Sequence, residues 1–343
     1  MRIKKLYLEN IGVFDRLNLD FHRDKPSNKA EIHLLTGENG SGKSTLLYAL
    51  ASAFISGTDE LLRDRFRTSS LKPLIEVWLE KNNETVCHQT TLETAVQFSQ
   101  NHQPRLAFAY SGNRNLTSYQ LSGIQEITAS PFDNALSFIH STDSAILTQW
   151  IVYNKAKEAF ALMKNELANA EKYRTAIQHI ERVVQDIVGF KIEFVLETEQ
   201  IFNVVVRVEG QRLELSVLPD GLKSIISWIA DLFMRLDRIA PADIESLLEC
   251  HFILFLDEID IHLHPAWQRQ ILPVIQKLFP NAQIFVPTHS PFVVGSISDA
   301  YVYKFKLTNG VSYLDSIEES KAGSSVLLVL DDVFDIEESV TSV

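Results

Sequence analysis

The eight residues Gly37-Glu38-Asn39-Gly40-Ser41-Gly42-Lys43-Ser44 leave this chain few folds to choose from. They satisfy the spacing Gly, four residues, Gly-Lys-Ser, whose backbone N–H groups wrap phosphate oxygens when the loop joins a strand to a helix. Both flanks suit that placement. EIHLL at 31–35 reads as a short strand, and TLLYALASAF from Thr45 onward is apolar and made of helix formers. In such a loop the Lys43 ammonium meets the β and γ phosphates and the Ser44 hydroxyl ligates Mg²⁺, while Thr45 belongs to the same nucleotide cradle.

A loop of this kind requires a distant apolar strand ending in an aspartate that holds the Mg²⁺. Phe252-Ile253-Leu254-Phe255-Leu256-Asp257-Glu258 supplies it. Asp257 is then the metal carboxylate, and Glu258 is placed to polarise an attacking water as general base. Downstream, Thr288-His289-Ser290 follows the strand-like QIFVP, so His289 can donate to a γ-phosphate from the carboxyl end of a strand. His264-Pro265 opens a helical run, and a capping or packing role is the expectation for His264.

Strands alternate with helices over most of the sequence, which predicts an α/β fold with a mainly parallel sheet. KIEFVLE and FNVVVRVE alternate with period two and predict an antiparallel subdomain, whereas 144–188 carries helical periodicity and reads as a short helical insert. The expected organisation is an N-terminal half of the core at 1–140, the helical insert at 141–190, a C-terminal half at 191–310, and a tail at 311–343 with one helix over 324–334. Helical periodicity also covers 222–236, 265–279 and the turn after the phosphate loop.

With 32 basic and 44 acidic residues the formal charge is −12, so no global positive field draws in nucleic acid or anionic lipid. Cys87 and Cys250 lack metal-ligand spacing and read as two buried, inert thiols of a reducing compartment. The longest apolar runs are too short to cross a bilayer and the start carries no signal-peptide core, which makes a cytoplasmic protein without a membrane partner the expectation.

ENIGVF near the start, GENGSGKSTLL, LDEIDIHLHPAWQ and PTHSPF together resemble the ATPases of the RecF, SMC and OLD group, a branch of the ABC-type P-loop fold. The stretch 259–267 is similar to that of the smaller, OLD-like members found in prokaryotic anti-phage systems, including PtuA-type ATPases of Septu systems and some retrons. The resemblance covers most of the chain and implies ATP as the nucleotide. It also implies assembly as a homodimer or higher oligomer, in which each subunit's signature motif completes the other's site.

That motif falls on Leu218-Pro219-Asp220-Gly221-Leu222-Lys223-Ser224, which nominates Asp220 and Gly221 as nucleotide contacts. Pro219 stands where the family places serine, so one donor to the γ-phosphate is lost and slow hydrolysis is implied. The family's polar switch residue nominates Ser111, Asn113 and Arg114, with Arg114 as the nucleotide or interface contact. Neither the long arms of SMC proteins nor a nuclease domain is visible, which implies a separate effector chain, a nuclease in anti-phage defence. The alternative is a RecF-like clamp on DNA, which the acidic balance disfavours.

Overall fold

The computed structural model describes residues 1–21, 28–55, 60–67, 72–81, 84–91, 106–112, 116–140, 142–198, 201–239 and 248–334. They divide into two compact units, one of residues 1–109, 251–260 and 275–343 and one of residues 110–250 and 261–274.

The first unit is built on two sheets. β1 (Arg2–Ile11), β2 (Phe14–Asp20), β4 (Leu74–Lys81) and β5 (Glu84–Thr91) form an antiparallel sheet in the order β2-β1-β4-β5. Alternation sets its register, with Leu6 opposite both Leu19 and Val77 on the buried face. β5 is the edge strand and mostly exposed, so Cys87 lies on the surface and Cys250 is only half-buried; the expectation of two buried thiols fails for both.

The second sheet has the order β14-β13-β3-β12-β11-β6. It comprises β3 (Glu31–Gly37), β6 (Ala107–Tyr110), β11 (Ile253–Leu256), β12 (Gln283–Pro287), β13 (Tyr301–Thr308) and β14 (Val311–Glu319). β11, β12, β3 and β13 run parallel. Every residue of β11 and β12 is buried, as are the first six of β3, because parallel strands are covered on both faces. This is why ILFL and the IFVP stretch of β12 read as continuous apolar runs rather than alternating ones. The α/β expectation with a mainly parallel sheet holds. β14 was not anticipated; it returns antiparallel to β13 through Asn309 and Gly310, both at positive φ.

α1 (Lys43–Ala51) follows β3 directly, α2 (Glu60–Arg63) is a single turn, and α7 (Pro291–Val294) and α8 (Val326–Phe334) complete the unit. At the strand starts Glu31 sits buried beside Arg2 and His33. Burial opposes its ionisation, yet hydrogen bonds from His33 and Arg2 bring its carboxyl down to about 2.

In the second unit the helical stretch is two helices, α3 (Ser144–Met163) and α4 (Leu167–Val188), split at Asn165 in the left-handed region with φ 58°. Asp143 caps α3 by accepting from the N–H groups of Ala145 and Ile146. β8 (Ile192–Glu197), β9 (Phe202–Val208) and β10 (Gln211–Glu214) are antiparallel, as predicted for the first two, and the short β7 (Gln120–Leu121) pairs with β9. α5 (Asp220–Ile239) is buried along most of its length, and α6 (Pro265–Leu278) begins after His264. The His264 ring accepts from the Ala266 N–H at 3.2 Å, so this histidine caps α6.

α5 carries a buried ionic network. Asp231 Oδ2 accepts from the Tyr110 hydroxyl at 2.8 Å and from Arg235 Nε at 2.6 Å, and Arg235 Nη1 donates to the carbonyls of Pro131 and Asp133. Both charges are almost fully buried. Replacing Asp231 with Ala deprives a buried guanidinium of its carboxylate, which costs about 3–5 kcal/mol. Urea unfolding followed by circular dichroism will show this as a lower midpoint; a midpoint equal to wild type would mean that the network contributes nothing.

Among the described residues no helix is long and apolar enough to cross a membrane.

Candidate functional site

Three parallel neighbours, β11, β12 and β3, end on the same edge of their sheet, and a chain segment of distinct chemistry leaves each. The phosphate loop follows β3, Asp257 and Glu258 follow β11, and His289 follows β12 after one intervening residue, Thr288. Residues more than 200 positions apart meet here because carboxyl ends of adjacent parallel strands share one rim.

Gly37 turns the chain out of β3 with φ 140°, and a side chain there would collide with the Phe305 carbonyl of β13. Glu38, Asn39 and Gly40 are exposed at the loop's crest, Gly42 immediately precedes α1, and Ser41 is fully buried. Ser41 is braced from β14, where the Ser312 hydroxyl donates to its carbonyl at 2.7 Å.

The Lys43 ammonium donates to the carbonyls of Gly37 and Glu38 at 3.0 and 2.8 Å and lies 3.3 Å from Ser41 Oγ. Burial lowers its pKa to about 8, against the opposing pull of Asp257 and Glu258. The cation is thus parked on backbone carbonyls at the loop that its phosphate ligand would share.

Ser44 Oγ donates to Asp257 Oδ1 at 3.2 Å, which joins the first helical turn to the end of β11. A hydroxyl and one carboxylate are hard oxygen donors, the incomplete set that suits Mg²⁺ when phosphates and waters supply the rest. Two residues not singled out from sequence also attach here. The Tyr48 hydroxyl donates to Asp257 Oδ2 at 3.1 Å, and the Arg65 guanidinium stacks over the Tyr48 ring at 4.8 Å while donating to Thr45 Oγ1 at 3.1 Å.

Glu258 is exposed and holds φ 50°, a left-handed conformation that costs an ordinary residue about 1–2 kcal/mol. Asp260, two residues on, accepts hydrogen bonds from the Thr288 side chain and the His289 backbone N–H, while burial pushes its carboxyl up. It ties the turn after β11 to the segment carrying His289. His289 is exposed overall, and the partial desolvation of its ring, with the Lys43 charge, pushes its pKa below the usual histidine value, which favours the neutral ring with a single N–H donor.

The remaining candidates fall in the other unit or outside the described residues. Asp220 is exposed at the first turn of α5 beside Lys223, at 3.4 Å, and Pro219 is exposed immediately before it. Gly221 is buried, and a Cβ there would approach the His262 carbonyl at 2.6 Å and the Trp267 ring at 3.2 Å, so the close passage of α5 against the segment before α6 requires glycine. Ser111 follows β6, whereas Asn113 and Arg114 lie outside the described residues.

A family model described as "AAA domain, putative AbiEii toxin, Type IV TA system" matches residues 98–295, more than half of the 343, and one described as "AAA domain" matches residues 1–99. The chain is 23% identical to the Septu protein PtuA of Bacillus thuringiensis over 98% of its own length and 85% of that protein. It is 29% identical to the retron Vc95 probable ATPase of Vibrio cholerae over 51% of the chain and 33% of that protein, and 39% identical to the retron Ec83 probable ATPase of Escherichia coli over 30% of the chain and 20% of that protein. The chain thus spans a third or less of both retron proteins. Two solved SMC head domains share the fold. One is bound to the C-terminal winged-helix domain of ScpA (TM-score 0.54, 11% identity, covering 93% of this chain and 98% of that one). The other, with an extended coiled coil, is bound to a ScpA C-terminal domain and derives from Pyrococcus furiosus (TM-score 0.51, 13% identity, covering 92% and 96%).

Proposed function

The chain belongs to the AAA-domain family described as "AAA domain, putative AbiEii toxin, Type IV TA system", and from that footing we propose that it is an ATP-binding and hydrolysing ABC-type ATPase that assembles around Mg·ATP and controls a separate effector, a nuclease, in anti-phage defence. The observation that carries the reading is the convergence of Lys43, Ser44, Asp257, Glu258 and His289 on one rim of the parallel sheet, with Ser44 and Asp257 already in hydrogen-bond contact.

Each group has a role set by its chemistry. The loop N–H groups and the start of α1 hold the phosphates, and Lys43 neutralises their charge. Ser44 and Asp257 hold Mg²⁺, which offsets charge developing on the transferred phosphoryl group. Glu258 takes the proton of the attacking water, and His289 donates to the γ-phosphate. Asp220 and Gly221, at the start of α5, serve a second subunit's nucleotide. Pro219 offers that nucleotide neither a hydroxyl nor an N–H, and hydrolysis is correspondingly slow.

The relatives named Septu PtuA and retron ATPases support the defence setting. The net charge of −12 favours a protein effector over DNA as the direct partner.

The test is a pull-down of tagged Glu258→Gln protein with Mg·ATP from cells that carry its native neighbouring genes. Co-purification of a nuclease that is lost when ATP is omitted is the expected result. Recovery of self-associated chain with DNA and no second protein would replace the effector reading by a DNA clamp.

A further inference from the structure

Tyr48 lies one helical turn beyond Ser44 on α1, and it is 7% exposed although its hydroxyl is polar. That hydroxyl satisfies its hydrogen bond on Asp257 Oδ2 at 3.1 Å, while Ser44 Oγ occupies Oδ1 at 3.2 Å. The two oxygens of one carboxylate are thus divided between two residues of the same helix. An aspartate carboxyl otherwise turns easily, because its terminal torsion is broad and two-fold.

We propose that Tyr48 is a positioning residue for the metal carboxylate: by holding Oδ2 it commits Oδ1 of Asp257 to the Ser44 side, where Mg²⁺ binds with the nucleotide. The inference rests on the nucleotide-site reading above. A partner behind a metal-ligating carboxylate fixes which oxygen is presented and spares the site that ordering at the moment of binding. The ring itself is fixed from its other side. Arg65 stacks on it at 4.8 Å and is in turn bound to Thr45 Oγ1, so ring, guanidinium and helix form one braced unit. A cation over the ring face also makes the phenol a stronger hydrogen-bond donor. GxxxxGK(S/T) says nothing about this position; the phenol's role arises only because β11 delivers Asp257 beside the second turn of α1.

The experiment compares wild type and Tyr48→Phe, which keeps the ring and its stack with Arg65 but removes the hydroxyl. Affinity for a fluorescent ATP analogue is measured first in EDTA. Mn²⁺ is then titrated into the nucleotide-loaded protein and followed by electron paramagnetic resonance. The expected result is unchanged affinity in EDTA with Mn²⁺ held about 10- to 100-fold more weakly, the range for loss of a partner behind a metal ligand. A packing role alone would lower the urea midpoint and leave Mn²⁺ affinity untouched, and that pattern overturns the proposal. Absence of nucleotide binding by wild type would instead overturn the nucleotide-site reading, and this inference with it.

Discussion

Lys43→Ala is expected to weaken ATP binding by at least about 100-fold, to the point where equilibrium titration with a fluorescent analogue shows no saturation at millimolar nucleotide. In the wild type the ammonium makes hydrogen bonds at 3.0 and 2.8 Å to the Gly37 and Glu38 carbonyls, bonds that a phosphate oxygen would join or replace. Hydrogen bonds to charged groups contribute roughly 1.5–3 kcal/mol each, and every 1.4 kcal/mol is tenfold in affinity. Loss of the cation also removes the positive charge that stands against Asp257 and Glu258 in this structure. Equal affinity in variant and wild type would remove the site assignment altogether.

The same lysine sets a pH dependence whose sign follows from its environment. Burial holds its pKa near 8 before any ligand arrives. Bound phosphate favours the charged form, so nucleotide binding takes up a proton wherever free Lys43 has lost one. Affinity is therefore flat below about pH 8 and falls above it by up to tenfold per pH unit. In Lys43→Arg, whose guanidinium stays charged over this whole range, that slope disappears, which separates this lysine from general alkaline effects.

What could be read in advance was whatever depends on local sequence. The phosphate loop needs glycine at fixed offsets, β11 and the IFVP stretch of β12 are apolar because they are covered on both faces, and the acidic pair sits directly at a strand end. The parallel order then brings those segments together without further information. The supports of the site were another matter. Tyr48 and Asp257 are 209 positions apart, and Ser312 and Ser41 are 271 apart. A tyrosine in an apolar helix reads as core, and only the delivered partner gives its hydroxyl a task. Asp260 likewise carries no local signal, and its task appears only where Thr288 and His289 lie beside it.

Two details left unassigned had signals in the sequence. Asn309-Gly310 between alternating runs is a hairpin signature, and it would have located β14 and with it the brace that Ser312 gives the phosphate loop. Asn165 marked the break between α3 and α4, since asparagine enters the left-handed region at low cost. The two cysteines failed for a different reason. Burial of Cys87 depends on whether its strand has a neighbour on each side, and β5 lies at the edge.

Glu258→Gln is expected to lower ATP turnover by about 100- to 10,000-fold, the contribution of a positioned general base, while ATP affinity stays within a few-fold of wild type. The residue leaves β11 immediately after Asp257 and is exposed, on a backbone held at φ 50°. Glutamine matches glutamate in shape and enters the left-handed region with the same difficulty, so the swap changes proton acceptance and little else. A second variant isolates that conclusion. Glu258→Gly removes the carboxylate but relieves the backbone, since glycine adopts positive φ at no steric cost, and it should raise the unfolding midpoint while lowering turnover to the same degree. Phosphate release measured for both against single-turnover ATP binding decides the matter. If Glu258→Gln turns over at the wild-type rate, the base lies elsewhere, and Asp260 is then the only other carboxylate in the turn that follows Asp257 and precedes His262.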